Sequence, residues 1–232
     1  MFFLIVFTSC NTTKYVPDNQ SLLSANTVVI DGKKTSESEI YDYIVQRPNS
    51  SVLGFPLGLN IYNYGDPEFE DNYEKWVMNH PKTAGFVSNV FSEKQTVVVY
   101  NTHKAFNEWY LKKGQPPVLF SEVKAAKTLK SFQDYFFTQG YFDAQVSYEL
   151  DTSKAKETEV IYNVTTNKRY RIDTIKIDIA SPVLDSIYKK HQKKSLLAEG
   201  DPFVFETFEK EKTRLNNLFK NSGIYHFNPS SI

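Results

Sequence analysis

The sequence predicts an α+β fold in which small mixed sheets carry helices packed on one face. Three observations lead there. Between Ser121 and Gln139 the apolar residues Ala125, Leu129, Phe132 and Phe136 recur at offsets that place them on one stripe of a helix. Directly after Gly140, the residues Ala144, Val146, Tyr148 and Leu150 alternate with Asp143, Gln145, Ser147 and Glu149, the period of a strand with one apolar face. A second alternating set, Val160, Tyr162 and Val164, follows the polar link 151–156. An apolar helix stripe needs an apolar partner, and an antiparallel strand pair with one greasy face supplies it.

A chain of 232 residues accommodates one or two compact domains. Its 27 basic and 27 acidic residues cancel, so charge gives no reason to expect nucleic acid or an anionic bilayer as the main partner. Fifteen Tyr and eighteen Phe fit cores and contact surfaces built from large side chains. The single cysteine, Cys10, excludes an internal disulfide and lies far in sequence from any histidine, which argues against a metal site.

Taken in order, residues 1–9 are an apolar run, Phe2 to Phe7, ending in Thr8-Ser9 before Cys10. That run is too short to span a bilayer and reads as the hydrophobic core of an export signal. Small residues before a lone cysteine resemble a lipoprotein processing site. The resemblance implies that Cys10 becomes the acylated first residue of the mature chain, and several acyl chains on one residue suffice for stable anchoring. Residues 10–25 then read as a polar tether.

Thr27 to Ile30 is a strand ending at the turn pair Asp31-Gly32. A helix through Gln46 follows, capped by Thr35 or Ser36, with Ser36 and Glu39 at the spacing of a capping box and Pro48-Asn49 as its stop. Residues 50–63 are punctuated by glycine and proline yet carry Val52, Leu53, Phe55, Leu57 and Leu59, an unusually apolar loop. Helices are expected over 68–78, with Phe69, Tyr73 and Trp76, and over 104–112, with Phe106, Trp109 and Tyr110; the stretch Val97 to Tyr100 fits either strand or helix. Gln115-Pro116-Pro117-Val118 is held extended by its prolines.

Beyond Val164, Tyr170 to Ile179 reads as a strand that changes phase, because Tyr170 and Ile172 share one parity while Ile175, Ile177 and Ile179 share the other. Helices starting near Pro182 and Pro202 follow. Here a repeat emerges: Phe132, Phe136, Gly140 and Phe142 align with Leu215, Phe219, Gly223 and Tyr225 at one constant offset. In both, a helix ends on a glycine suited to the left-handed region, and an aromatic strand start is expected next.

The ordered set Thr8-Ser9-Cys10, Tyr15-Val16-Pro17, Gln46-Arg47-Pro48-Asn49, Leu59-Asn60-Ile61-Tyr62-Asn63, Gly114-Gln115-Pro116-Pro117 and Gly140-Tyr141-Phe142-Asp143 resembles the POTRA domains of the Omp85 superfamily. It is most similar to the Bacteroidetes lipoprotein relatives within the TamA-like and BamA-like branches. The resemblance implies tandem β-α-α-β-β domains: a first over residues 26–168 with a largely helical insertion at about 50–118, and a second over 169–232 that lacks its last strand. It implies a lipid-anchored chain on the periplasmic face of the outer membrane. Its partners there would be unfolded outer-membrane protein clients and a barrel domain or accessory assembly proteins. Neither a cofactor nor nucleic acid is implied.

No catalytic constellation competes with this. The histidines His80, His103, His191 and His226 are scattered, and no phosphate loop, nucleophile elbow or zinc-protease spacing is present. The expected function is therefore polypeptide binding: an extended client adds to a free strand edge through backbone hydrogen bonds. Asp143, Ala144, Gln145, Val146, Ser147, Tyr148, Glu149 and Leu150 are the first choice for that edge, and Thr27 to Asp31 the second. Gly140 and Gly223 are the structural turns, and Leu53, Phe55, Leu57, Trp76 and Trp109 are candidate apolar contacts. Two alternatives remain open, a part in lipid or surface-lipoprotein transport and a docking module without clients.

Overall fold

A computed structural model describes residues 11–90 and 92–231. The expected export signal and Cys10 lie outside the described residues. The elements run β1 (Leu22–Ile30), β2 (Lys33–Thr35), α1 (Ser38–Tyr41), α2 (Leu57–Tyr64), α3 (Phe69–Asn79), α4 (Pro81–Val90), α5 (Glu93–Lys113), α6 (Glu122–Thr138), β3 (Gln145–Asp151), β4 (Glu157–Thr165), α7 (Pro182–His191) and α8 (Phe205–Asn221). This is a small mixed α+β fold with a four-stranded sheet, order β2-β1-β4-β3, and helices packed on one side.

The sheet follows from three local rules. Asp31 and Gly32 both adopt positive φ, the turn whose twist matches a two-residue hairpin, and β1 pairs antiparallel with β2 through Val28↔Thr35 and Ile30↔Lys33. The Asp31 carboxylate then accepts the hydroxyl and the backbone N–H of Thr166, which holds its carboxyl below the usual range. Between β1 and β4, Leu22 N–H donates to Lys156 C=O at 2.8 Å and Asp31 N–H to Val164 C=O at 2.9 Å. Both partners rise together, so this central pair is parallel. The link 152–156 is too short for a crossover, which makes β3 and β4 an antiparallel hairpin.

The chain divides into two compact units. The first takes the residues up to Asn26 with Gln46–Glu122 and Leu150–Val160; the second takes Thr27–Val45, Val123–Glu149 and everything from Ile161.

In the first unit, Val16, Leu22 and Leu59 form a buried cluster with Leu119 against it. Residues 11–21, expected as a tether, are folded onto this unit, and 22–25 already belong to β1. Val16 is what overrides the polar composition: once buried, it draws the short segment around it into place. Gln46 and Asn49 act as a clasp on the proline-extended strip. Gln46 Nε2 donates to Leu119 C=O at 2.7 Å while its Oε1 accepts Ser121 N–H at 3.1 Å. Asn49 spans Pro116 C=O at 2.8 Å and Val118 N–H at 2.9 Å. The ambiguous Val97 to Tyr100 stretch is helical, inside an α5 that opens on a capping box between Ser92 and Gln95.

In the second unit, Ala125, Phe132 and Phe136 of α6 are buried as the stripe predicts, whereas Leu129 is only half-buried and the unpredicted Thr128 is buried beside it. Phe132 meets Tyr162 of β4 edge to face, centroids 5.5 Å apart, and both rings are sealed from water. Each such ring contributes roughly 2–3 kcal/mol of burial. The predicted helix through Gln46 shortens to the single turn α1; of the two expected caps Thr35 is the one used, its Oγ1 accepting the Glu37 N–H, and the Ser36–Glu39 capping box does not form.

Residues 170–179 are not a strand. Arg171 makes an isolated bridge to Pro202, Ile172 exchanges bonds with Asp201 and Gly200, and Ile175 N–H reaches only the Glu199 carboxylate. A strand needs a neighbour along its length, and the partner at 200–203 meets only the first three residues of this segment. After Gly223, turns replace the expected strand over 224–231.

Candidate functional site

Strand β3 ends the sheet, so one side of its backbone has no strand beside it. Inward, Val146 and Tyr148 are half-buried and Tyr148 lies 6.3 Å from Tyr162; outward, Gln145, Ser147 and Glu149 are exposed. The strand is pinned at its start. Gln133 Nε2 donates to Ala144 C=O and Asn167 Nδ2 to Asp143 C=O, both at 2.8 Å, and the Tyr170 hydroxyl donates to the Asp143 carboxylate at 2.9 Å. That last bond raises the Tyr170 pKa. At the far end Asp151 accepts Ser153 N–H at 2.9 Å, which lowers its own pKa.

Of the eight residues predicted for this edge, Gln145 to Leu150 lie on it. Asp143 and Ala144 precede the strand and have their carbonyls occupied. Asp151 belongs to the strand and was missed, although it continues the alternation past Leu150. The second-choice edge, Thr27 to Asp31, is excluded because β1 lies between β2 and β4. At the opposite border, β2 has three residues, two of them lysine, a short and charged edge of the kind that resists strand addition. β3 has seven residues and no lysine.

The candidate apolar contacts are exposed but dispersed. Leu53 is 93% exposed and, with Phe55, belongs to a tight turn closed by the Val52–Phe55 bridge, while Leu57 opens α2. Trp76 stacks on Tyr73 of α3 and on His80 just past its end, and Trp109 meets Tyr110 of α5. Leu59, from the same apolar loop, is buried instead.

The second unit holds a cavity of about 800 Å³ lined by Ile175, Ile177, Leu184, Phe208, Leu215 and Phe219. Sequence reading missed it; the signal was the alternation of Ile175, Ile177 and Ile179 with no further strand to pair with. At its wall the buried Glu211 accepts two bonds from Arg214, at 2.6 and 2.7 Å, together with Leu196 N–H at 3.0 Å and the Ser195 hydroxyl at 3.2 Å. Burial alone would raise its pKa, but these donors outweigh it and hold the carboxyl below its usual range.

Among the described residues no three His, Cys, Asp or Glu side chains gather as a metal site, and His80 and His191 each bond a carbonyl of their own helix. No described helix is long and apolar enough to cross a membrane. Among the described residues, fold and site define a small α+β module whose sheet ends on one side in the seven-residue strand β3. No protein-family model, curated protein or solved structure matches the chain.

Proposed function

We propose that the chain is a polypeptide-receiving module of an outer-membrane protein assembly or translocation system, built from tandem POTRA-like domains and tethered through an acylated Cys10. Extended clients add to the outward edge of β3. The observation that carries this is the asymmetry of the sheet, a seven-residue edge at β3 against a three-residue, lysine-bearing edge at β2. Backbone pairing accepts any extended sequence, which suits a receiver of many clients, and alternate side chains such as Ser147 and Glu149 would meet the client's own. A barrel domain or accessory assembly protein is the partner to which clients pass.

A photo-crosslinking side chain at Ser147 is expected to capture an unfolded β-barrel protein diluted from denaturant, whereas the same group at Lys34 on β2 captures little. Equal capture at the two positions, or none at Ser147, would show that β3 is not the receiving edge.

A further inference from the structure

Helix α5 has two unlike faces. One is partnered by α3 and the turn before it: Tyr100 meets Phe69 and Tyr73 at 6.0 and 4.7 Å, Lys104 pairs with Glu70, and Asn107 Nδ2 donates to Asp66 C=O at 3.0 Å. The other carries Val98, Thr102, Ala105 and Trp109, spaced as one helical stripe, with Phe106 beside them. They line an open hollow of about 730 Å³ with no charged side chain among its described lining residues. Val98, Phe106 and Trp109 are each more than half exposed.

The Trp109 end of this stripe lies next to α2, on which the chain's first described residues are docked. Asn63 Nδ2 donates to Asn11 C=O at 3.0 Å, Lys14 Nζ donates to Asn63 C=O at 2.7 Å, and the Tyr15 hydroxyl donates to Gly65 C=O. The next residue, Tyr64, is exposed and lies 5.9 Å from the ring of Tyr110, which in turn meets Trp109 at 5.3 Å. A lipid carried on Cys10 is therefore one peptide link from a segment fixed beside the aromatic end of α5. With no slack in between, the anchor sets this end against the bilayer.

We propose that the Val98–Trp109 face of α5 rests in the interfacial layer of the membrane that holds the chain. The chemistry fits the occupant. Tyr64, Trp109 and Tyr110 are amphipathic rings of the kind that settle at the headgroup level, and the exposed Lys112 and Lys113 at the same end can snorkel outward. Because the net charge is zero, the attraction is apolar and insensitive to salt. The inference rests on the anchor reading proposed above.

The chain's two tryptophans allow a direct test, since Trp76→Phe leaves only Trp109 as reporter and Trp109→Phe leaves only Trp76. The mature lipidated chain is reconstituted in phosphatidylcholine vesicles brominated in the acyl chains. Trp109 emission is expected to shift to the blue and lose most of its intensity, while Trp76 keeps its own. Ala105→Glu, which sets a carboxylate in the stripe, should restore Trp109 emission with an unchanged far-ultraviolet spectrum. Vesicle-bound protein with unquenched Trp109 overturns the inference and leaves the anchor standing. Equal quenching of both tryptophans overturns the choice of face, and Trp109 shielded from aqueous quencher but untouched by bromine assigns the face to a protein partner instead. If intact mass shows Cys10 unmodified, the anchor reading fails; the unlipidated chain mixed with the same vesicles then decides the face alone, quenching supporting it and its absence overturning it.

Discussion

Helices α6 and α8 have the same length, seventeen residues, and close in the same way. Tyr141 N–H bonds Phe136 C=O and Gly140 N–H bonds Phe137 C=O; Ile224 N–H bonds Phe219 C=O and Gly223 N–H bonds Lys220 C=O, all between 2.9 and 3.1 Å. Both glycines take positive φ, 85° and 96°. The likeness extends along the helices. At the position where α6 buries Thr128, α8 buries Glu211, and each of these polar side chains accepts a backbone N–H from a segment that follows an earlier helix, Val45 after α1 in one case and Leu196 after α7 in the other. The helices then diverge, because α6 is covered by β4 and α8 faces an open cavity. A helix stop is thus written locally, in three or four residues, whereas a strand exists only if another strand comes to meet it.

The sharpest break of this pairing is at the glycines. A Cβ on Gly140 would lie 2.4 Å from Phe203 C=O and 3.3 Å from Tyr170 C=O, while a Cβ on Gly223 meets nothing within 4 Å. Gly140→Val therefore combines left-handed strain with a backbone collision and should cost on the order of 4 kcal/mol. Gly223→Val carries the strain alone, about 1–2 kcal/mol. Thermal unfolding of the two variants measures the gap, and equal losses would mean that the contact of Gly140 with 170 and 203 is not formed in solution.

That contrast also locates what the sequence makes legible. The α6 stripe, the alternation of β3 and β4, the Asp31-Gly32 turn and both glycine stops are short-range patterns, and the structure contains them all, although strand β2 after that turn was not foreseen. Features that depend on distant partners were not legible. Ile175, Ile177 and Ile179 alternate like a strand, but alternation cannot supply the neighbour. Polar residues 11–21 look like a tether until Val16 is seen under Leu22 and Leu59. For the candidate site, the residues of β3 could be read from periodicity. Its place at the sheet edge could not, since that depends on β1 pairing with β4 across more than a hundred residues.

A cavity-forming substitution sharpens the same comparison at lower amplitude. Phe132 is fully buried against Tyr162, so Phe132→Ala should cost about 3–4 kcal/mol. Its counterpart Leu215 is half-buried on the wall of an existing cavity, and Leu215→Ala should cost about 1 kcal/mol because most of the void is already there. Chemical denaturation of both variants gives the ratio; comparable losses would imply that α8 is as tightly covered as α6.

A further test separates the two buried polar positions by pH. Thr128 does not titrate, whereas Glu211 is held as an anion by Arg214, Leu196 and Ser195 against the cost of its burial. Its folded pKa lies below its unfolded one, so its stabilisation is complete above the ordinary carboxylate range and drains away as pH falls through the folded value. Glu211→Gln keeps the shape but loses the charge, and at neutral pH should cost about 2 kcal/mol. The difference between parent and variant should shrink on acidification below the carboxylate range, whereas Thr128→Val should lower stability by an amount that does not change with pH. If the Glu211→Gln difference persisted undiminished in acid, Glu211 would be acting through packing, as Thr128 does, and the ionic link to Arg214 would contribute nothing to holding the segment at Leu196.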